Sequence, residues 1–580
     1  MLVACNARQI LETSYNKNNG NNMNHTNKDR HYQTPLQELA RHVRERGAEA
    51  YLHQPVNRQL KVWTWKQVDE DARKIAQGLK SLGLNPGDRV AIFAKNSAEW
   101  FIADWAIMMA GMVSVPIYAT AGESTLQYIL DHSEAKAIFV GKLDDKTAGS
   151  KVFDGSIPRI GFPYDTVEHD IRWQDWISQQ TPLAEVANVG LEEIMSIVYT
   201  SGSTGNPKGV VLKFRQYAAA ATANRSVIGL RPDDRTVSYL PLAHITERTV
   251  IQGTSLYAGG PVYFVESLDT FVDDLKVAQP TAFLSVPRLW VRFQAGVHEK
   301  MPEQKLQKLL RIPLLGKLVA KKIRQGLGLN SVRIFGSGSA PISPSTLHWY
   351  FRLGIPICEA WGMTETAGLS TTNMPFREDR LGTIGIPIDC LEIRLSEQGE
   401  MQVRGDTVFE TYYKNPEATA DSFEDGWFKT GDKAIKNPDG SYTIVGRLKE
   451  EFKTAKGKYV APVPIESQLA GNPDIEQVCL MGSGRTQPVA VVVLAEHLRK
   501  SAREPLRASL QHTLSAVNSA LESHQRLDGI LVADDLWSIE NGLLTPTLKL
   551  KRADLEQQYQ DRLANVSSGK VFWEDETTKG

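Results

Sequence analysis

The strongest constraint on the fold is a regular alternation of helical and strand-like segments that begins near residue 35. Between Val68 and Leu82 the apolar residues recur at helical spacing, and Gly83, a turn and the strand-like segment RVAIFA follow. The alternation continues through the segments AKAIFVG, IMSIVYTSG, RTVSYLPL, GPVYFV, PTAFLSVP and VRIFGSGSAP. Repeated strand–loop–helix units predict an α/β fold in which helices cover a mainly parallel sheet.

The chain is long enough for several domains. With 580 residues it exceeds the size at which one hydrophobic core stops growing. Residues 1–30 are rich in asparagine and poor in apolar side chains, which predicts a disordered leader. Past residue 380, short strands and turns predict a small β-rich region. The charged segment LKEEFKTAKGKYVAP follows Arg447 and predicts a linker to a compact α+β module.

Composition narrows the class of protein. Lys and Arg total 66 and Asp and Glu total 67, a net charge of -1 that argues against a nucleic-acid surface. Cys5, Cys358, Cys390 and Cys479 are far apart without a CxxC pair, which predicts reduced thiols in a cytoplasmic enzyme rather than disulfides or a zinc site. The most apolar run, residues 105–119, is shorter than the ~20 residues of a membrane span. We expect a buried helix followed by a strand there, and no transmembrane segment.

The segment YTSGSTGNPKGVV, residues 199–211, has the composition of a phosphate-binding loop. Glycines let backbone N–H groups face an anion, and hydroxyls and a lysine add further donors. The common phosphate loop of ATPases and GTPases requires Ser or Thr after its lysine, whereas Gly209 follows Lys208 here. A flexible surface turn is the alternative, but the strand before the loop and the lysine after it favour phosphate binding. The candidate residues are Thr200, Ser201, Gly202, Ser203, Thr204, Gly205 and Lys208.

Four later stretches carry polar residues suited to a nucleotide site. In CEAWGMTETAG, Thr364 and Glu365 follow a predicted Gly–Met turn, and a carboxylate beside polyphosphate suits Mg²⁺. WFKTGDKA contains Asp432, a residue type that binds ribose hydroxyls, and GRLKEEFKTAKGK contains Arg447. LLTPTLKLKR contains Lys549 between apolar neighbours. Taken alone, residues of these types are more often found in an ordinary loop, core or solvated position.

Together and in this order, these stretches resemble those of the adenylate-forming superfamily, the AMP-binding enzymes, over about residues 35–560. The segments YLPLAHITER, SVPRLW and TPTLKLKR are similar to motifs of its long-chain fatty-acid–CoA ligase branch. The resemblance implies a large N-terminal AMP-binding domain over residues 31–447, a hinge over 448–452 and a small mobile C-terminal domain over 453–580. It also implies that ATP and a fatty acid form an acyl-adenylate and pyrophosphate, with Mg²⁺ as cofactor. Transfer to coenzyme A then gives acyl-CoA and AMP.

The same resemblance implies a role for each matching residue of the ATP site. The loop from Thr200 to Lys208 would hold the β- and γ-phosphates, with Thr200 and Glu365 near Mg²⁺ and Thr364 at the α-phosphate. Asp432 and Arg447 would hold the ribose. The residues that would frame the adenine and complete the site are Ser339, Ala340, Pro341, Glu359, Ala360, Trp361, Gly362 and Met363.

The remaining roles concern the acyl group and coenzyme A. By the resemblance, Lys549 would bridge the fatty carboxylate and the α-phosphate, and His244 would line the acyl site and meet the incoming thiol. Lys449 would be the hinge residue. The candidates for the coenzyme A channel are Lys456, Gly457 and Lys458.

Other interpretations stay open at this level. The chain could be a fatty acyl-AMP ligase that loads a carrier protein, or could adenylate another carboxylic acid. A lipid-binding protein without catalysis would not be expected to keep the five charged residues of the motifs, and Gly209 excludes an ATPase or kinase with the common phosphate loop. Residues 305–328, both basic and apolar, form either a solvated helix pair or a surface for anionic lipid at the inner face of a membrane.

Overall fold

The computed structural model describes residues 31–153, 155–164, 167–200, 206–539, 541–545, 549–563, 565–566 and 569–577. Almost all of them belong to one unit, Gln33–Gly580. The predicted leader, residues 1–30, and the loop residues Ser201, Gly202, Ser203, Thr204 and Gly205 lie outside the described residues. The leader's predicted disorder therefore stays a prediction.

The largest sheet has seven strands and carries the predicted phosphate loop at one edge. Its neighbours are parallel except for the last pair, which is an antiparallel hairpin. In spatial order the strands are Ile171–Arg172, Arg159–Gly161, Ala135–Gly141, Arg89–Ala94, Val113–Ile117, Ile194–Thr200 and Lys208–Lys213. The predicted mainly parallel sheet is confirmed.

A five-stranded mixed sheet carries the predicted adenine frame. The first three strands are parallel and the others antiparallel. They are Ala282–Ser285, Ile334–Ser337, Ile357–Met363, Gly368–Thr372 and Ile386–Pro387. Gly362 and Met363 are part of the third strand, so the turn predicted before Thr364 is wrong. The chain turns only at the 3-10 helix Thr364–Thr366.

Two further sheets complete the chain up to Arg447. A four-stranded sheet is formed by Thr236–Ser238, Val262–Phe264, Ala50–Val56 and Gln59–Thr64. An antiparallel sheet is formed by Leu391–Leu395, Glu400–Gly405, Trp427–Lys436, Phe423–Glu424 and Tyr442–Arg447. The antiparallel sheet is the β-rich region that the sequence predicted past residue 380.

Beyond Arg447 two smaller sheets follow. The predicted linker contains a hairpin of Phe452–Lys453 and Tyr459–Val460, which shows that it is partly ordered. A four-stranded sheet is then formed by Ile475–Met481, Val489–Leu494, Gly529–Ala533 and Lys570–Trp573. Its buried valines and leucines pack against helices, as expected for an α+β module.

Helices connect most of these strands. The α-helices are Pro35–Arg46, Trp65–Ser81, Ala98–Met109, Glu123–Ser133, Trp173–Gln179, Phe214–Ile228, Thr254–Ala258, Phe271–Ala278, Pro287–Lys300, Glu303–Leu310, Pro313–Gly326, Pro344–Arg352, Pro416–Ser422, Pro462–Leu469, Arg503–Ala520 and Arg552–Leu563. A π-helix, Glu247–Gly253, runs directly into Thr254–Ala258. The 3-10 helices are Thr364–Thr366, Glu378–Arg380, Leu448–Glu450, Glu496–Leu498 and Glu574–Glu576.

Local sequence signals account for individual helices. Trp65–Ser81 begins with a capping box in which Thr64 accepts a hydrogen bond from Gln67 N, and it ends where Gly83 adopts a φ of 84°. Ala98–Met109 is buried along its whole length and leads into Val113–Ile117, which confirms the interpretation of the apolar run. In the described part of the chain, no helix combines the length and the apolar character needed to cross a bilayer.

A fully buried ion pair ties three of these elements together. Arg248 Nη2 lies 2.7 Å from Asp104 Oδ1, and the two side chains are 1% and 0% exposed. Gln252 Nε2 donates to the other Asp104 oxygen at 3.1 Å, and Arg248 also donates to Ser196 Oγ. The pair therefore joins Ala98–Met109, the π-helix and the strand Ile194–Thr200.

Candidate active site

The hairpin at the edge of the seven-stranded sheet brings two predicted phosphate-binding residues side by side. Thr200 and Lys208 are opposite each other in the register, and Thr200 Oγ1 donates to Lys208 O at 3.4 Å. The Lys208 side chain is exposed and can reach an anion. The predicted residues 201–205, which join these strands, lie outside the described residues.

The segment around Tyr412 packs along the same hairpin. Tyr413 N donates to Gly209 O at 2.7 Å, and Val210 forms an isolated bridge with Tyr412. A Cβ atom at Gly209 would lie 2.8 Å from Ile197 Cγ2, closer than real Cβ atoms approach. Gly209, which excluded the common phosphate loop, is thus required by the packing of this hairpin.

Tyr412 links the hairpin to Glu365. Its hydroxyl donates to Glu365 Oε1 at 2.9 Å, and Lys208 Nζ lies 5.0 Å from the centre of its ring. Burial, followed by the Glu365 carboxylate, raises the pKa of Tyr412 well above its usual value, so the hydroxyl stays a donor. Glu365 is only 8% exposed and lies beside Thr364 in the 3-10 helix.

Asp432 is held by two side chains from different strands. Trp361 Nε1 donates to Asp432 Oδ2 at 2.8 Å, and Arg447 Nε lies 2.9 Å from Asp432 Oδ1. Asp432 and Arg447 are direct partners across two antiparallel strands. The structure therefore joins the two predicted ribose-binding residues to the predicted adenine-framing indole.

The rest of the predicted adenine frame lies at the ends of two parallel strands. Ser337 is opposite Glu359, and the chain beyond Ser337 turns at Ser339, whose φ is 69°. Ser339, Ala340 and Pro341 are exposed there, while Ala360, Gly362 and Met363 are half-buried. Glu359 Oε2 accepts a hydrogen bond from Gly382 N at 2.7 Å, and burial raises the pKa of Glu359 to about 8.

Lys549 comes from the far end of the chain and lies within electrostatic range of the same cluster. Desolvation by the surrounding protein, followed by the charge of Arg447, lowers the pKa of Lys549, whereas the carboxylates of Asp432, Glu365 and Glu450 act in the opposite direction. Lys549 nevertheless remains exposed to solvent. Residues far apart in sequence thus act electrostatically on one ammonium group.

His244 lies within electrostatic reach of Lys549. Burial, followed by the charge of Lys549, lowers the pKa of His244 to about 4, so the imidazole is neutral at neutral pH. Its Nδ1 accepts a hydrogen bond from Thr246 N at 3.2 Å. Because Nδ1 is the acceptor, the neutral ring carries its proton on Nε2.

An apolar pocket lies beside Trp361, between the strand ends and the π-helix. It opens to solvent, and the space inside it and at its mouth together amounts to about 590 Å³. The apolar side chains in its wall include Ile228, Leu240, Val250, Leu284, Leu369 and Met374. Its wall also includes Ser339, Ala360 and Gly362 of the predicted adenine frame, so the apolar part, which suits an apolar substrate group, adjoins the predicted nucleotide site.

The predicted hinge and coenzyme A residues are separate from this cluster. Lys449 is exposed in the 3-10 helix Leu448–Glu450, directly after Arg447. Lys456, Gly457 and Lys458 are exposed in the turn of the small hairpin, which Thr454 N closes by donating to Lys458 O at 2.9 Å. Among the contacts of the described residues, none joins these four to the cluster around Asp432.

Two residues of the site were not singled out from the sequence, Tyr412 and Arg552. Arg552 donates to both oxygens of Glu466 at 2.5 and 2.6 Å and to Glu450 at 3.2 Å. It therefore ties the segment after Lys549 to the turn that contains Lys449. Nothing local distinguishes Arg552 from the other cations of LKLKR, or Tyr412 from Tyr413.

Comparison with known proteins identifies the family. The model of the family described as AMP-binding enzyme matches residues 39–413, and the model described as AMP-binding enzyme C-terminal domain matches residues 451–568. The chain belongs to the AMP-binding enzyme family. The resemblance predicted from the motifs is confirmed.

Relatives extend over most of the chain. Fatty acyl-CoA synthetase A of Dictyostelium discoideum is 31% identical over 86% of this chain and 84% of its own length. Long-chain-fatty-acid–CoA ligase 1 of Homo sapiens is 30% identical over 87% and 82%. The crystal structure of the anthranilate CoA ligase AuaEII with anthranoyl-AMP has a TM-score of 0.77 at 22% identity, covering 92% of this chain and 98% of that one. The predicted α/β fold class is thereby confirmed.

Proposed function

We propose that this protein is an AMP-forming fatty-acid–CoA ligase with a preference for long chains. One observation carries the proposal: Trp361 and Arg447 both contact Asp432 directly, and Lys549, from near the end of the chain, lies within electrostatic range of this group and of Glu365. Membership of the AMP-binding enzymes and the names of the relatives support the substrate class. The apolar pocket beside Trp361 supports an acyl substrate.

The proposed reaction has two steps in one site. A carboxylate oxygen of the fatty acid forms a bond to the α-phosphorus of ATP, and the bond to the bridging oxygen breaks, which releases pyrophosphate. The thiolate sulfur of coenzyme A then bonds to the acyl carbon, and AMP leaves with the electron pair of the broken bond. Adenylation is needed because a carboxylate oxygen is a poor leaving group, whereas AMP is a good one. The protein contributes mainly positioning and charge stabilisation.

The nucleotide would be held along the strand ends. The exposed Lys208 and the loop before it would bind the β- and γ-phosphates, and Thr364 would contact the α-phosphate. Asp432, fixed by Trp361 and Arg447, would accept hydrogen bonds from the ribose. The adenine would lie between the segments that begin at Ser339 and Glu359.

Glu365 and Thr200 fit a Mg²⁺ ion that arrives with ATP. In the described chain, no three His, Cys, Asp or Glu side chains gather into a metal cage. One carboxylate and one hydroxyl suit Mg²⁺, because this ion keeps waters and takes most of its other ligands from substrate phosphates. When bound, Mg²⁺ would neutralise charge on the phosphates. Tyr412 would orient the Glu365 carboxylate toward it.

Tyr412→Phe should weaken the response to Mg²⁺ without unfolding the protein. The change removes the donor to Glu365 Oε1, and loss of such an outer hydrogen bond costs about 10–100-fold in metal affinity or activity. The measurement is pyrophosphate release as a function of Mg²⁺ concentration. Tyr413→Phe is the matched control, and a Mg²⁺ dependence that stays the same in Tyr412→Phe would contradict this role of Tyr412.

His244 and Lys549 would act at the acyl group. Lys549 can neutralise the fatty carboxylate and the α-phosphate together as they approach each other. His244 would line the path of the thiol. Because its imidazole is neutral, it would not compete with Lys549 for the carboxylate. For the second step, in which AMP leaves, Lys549 would withdraw from the acyl-adenylate.

We further propose that residues 448–452 are a hinge between domains 31–447 and 453–580. Rotation there would withdraw Lys549 and bring Lys456, Gly457 and Lys458 toward the coenzyme A channel. An exposed ion pair between Arg288 and Glu476, at 2.7 Å, crosses between the two domains and would have to break. An exposed ion pair contributes little to stability, so breaking this one would cost little and would permit the motion.

The decisive test is a series of fatty acids from butyrate to oleate. Pyrophosphate release should depend on the fatty acid, and acyl-CoA detected by mass spectrometry should form only when coenzyme A is present. Activity should rise from butyrate toward the long chains. Pyrophosphate release without acyl-CoA in the presence of coenzyme A would instead indicate a carrier-loading ligase, and no fatty-acid-dependent release would refute the proposal. Because long-chain fatty acids partition into bilayers, we also propose that the protein works beside a membrane.

A further inference from the structure

The helices Glu303–Leu310 and Pro313–Gly326 expose an unusual group of large apolar side chains. Ile312 is 50% exposed, Leu314 79%, Leu315 39% and Leu318 60%. Elsewhere in the described chain, exposed large apolar side chains stand singly or, at Leu60 and Val62, as a pair. A contiguous apolar patch on a surface marks an interaction site.

The packing of these two helices against the core turns the apolar patch toward solvent. Leu306 and Ala320 are buried against the core, so the opposite faces of the two helices are the exposed ones. A Cβ atom at Gly316 would lie 2.6 Å from Leu310 O, so glycine is needed where the second helix crosses the end of the first. Leu314 and Leu318, one turn apart, lie together on the outward face.

Cations surround the apolar patch. Glu303 is the one acidic residue between positions 303 and 326, and it interacts with His298 and Trp349. Among the ion pairs of the described residues, none includes the exposed cations of these helices. These cations are Lys305, Lys308, Arg311, Lys317, Lys321 and Lys322. The surface is therefore strongly positive although the whole chain carries a net charge of -1.

We propose that this surface docks on an anionic lipid bilayer. Lipid phosphates would neutralise the cations, while Ile312, Leu314, Leu315 and Leu318 would enter the boundary between headgroups and acyl chains. A second copy of the chain fits less well, because two such surfaces would place like charges against each other. The inference rests on the proposed function for its purpose, since a docked enzyme meets fatty acids where they partition.

Vesicle flotation tests the docking without any turnover. The full-length protein is mixed with vesicles of phosphatidylcholine alone and with vesicles that also contain phosphatidylglycerol. We expect binding to the anionic vesicles that weakens as salt is raised, because exposed charges are screened. Equal binding to both vesicle types, or no binding to either, would overturn the proposal.

Paired variants locate the surface. L314Q/L318Q should weaken binding to anionic vesicles at least about tenfold because the apolar contact is lost. K321Q/K322Q should weaken it and flatten its salt dependence. L268Q is the apolar control, since Leu268 is 81% exposed and belongs to neither helix, and K80Q/K500Q is the charge control. Binding that survives in both test variants, or that the controls lose equally, would contradict the assignment.

Two further measurements separate this inference from the ligase reaction. Pyrophosphate release with octanoate, a soluble substrate, should be the same in L314Q/L318Q and in the unmodified protein, because these residues are outside the site. Sedimentation should show the same oligomeric state for both. A change of oligomeric state in L314Q/L318Q without any vesicle binding would assign the patch to self-association and refute docking. If the protein binds vesicles but has no ligase activity, the docking inference would be supported and the proposed function refuted.

Discussion

Lys549→Ala is expected to slow acyl-adenylate formation by about 10²–10³-fold, the typical effect of removing one preorganised charge from a reacting site. Lys549 lies within electrostatic range of Asp432, Arg447 and Glu365, where the α-phosphate and the fatty carboxylate would meet. The loss should fall on kcat rather than on KM for ATP, because Lys208, Asp432 and Arg447 would still bind the nucleotide. The measurement is the fatty-acid-dependent release of pyrophosphate.

The second half-reaction separates this role from a general loss of structure. With acyl-adenylate supplied, Lys549→Ala should form acyl-CoA at close to the normal rate, and Lys551→Ala, two residues away, should be nearly normal in both steps. The pKa of His244 should also rise in Lys549→Ala, because Lys549 is the second cause of its depression after burial. Equal loss of both half-reactions in a folded variant would refute the assigned role.

Asp104→Leu is expected to destabilise the protein by about 3–5 kcal/mol, because it leaves the Arg248 guanidinium buried without its counter-ion. Both side chains are inaccessible to water, so no solvent can compensate the charge. The effect should appear in the unfolding transition of the N-terminal part, measured by urea denaturation. The loss should not depend on bound substrate.

Two control variants distinguish an uncompensated charge from a packing defect. D104L/R248M removes both charges and should recover much of the lost stability, since well-packed apolar pairs can replace buried ion pairs. Asp273→Ala breaks the exposed pair with Lys276 at 2.9 Å and should cost no more than about 1 kcal/mol. Stability that is unchanged in Asp104→Leu, or that is equally low in D104L/R248M, would contradict the account.

Part of the candidate site could be predicted from the sequence because its residues stand in short, dense motifs. Asp432 and Arg447 lie within strands and Thr364 and Glu365 directly follow one, and buried carboxylates such as Glu365 and Asp432 are costly without partners. Tyr412 could not be predicted, because its neighbour Tyr413 has the same local context and only the packing along Gly209 decides which hydroxyl reaches Glu365. The same holds for Arg552, whose partner Glu466 lies far away in sequence.

The sequence by itself determined the elements and the family of this protein. Helical spacing, caps and turn residues act within a few positions, so they specify Trp65–Ser81 and the strand Arg89–Ala94 without knowledge of the rest of the chain. Only the tertiary structure decided which motifs meet: Trp361 with Asp432, Lys549 with His244, and Arg248 with Asp104. The physical reason is that such contacts depend on how several elements pack together, and a local pattern reports that a face is buried but not what buries it.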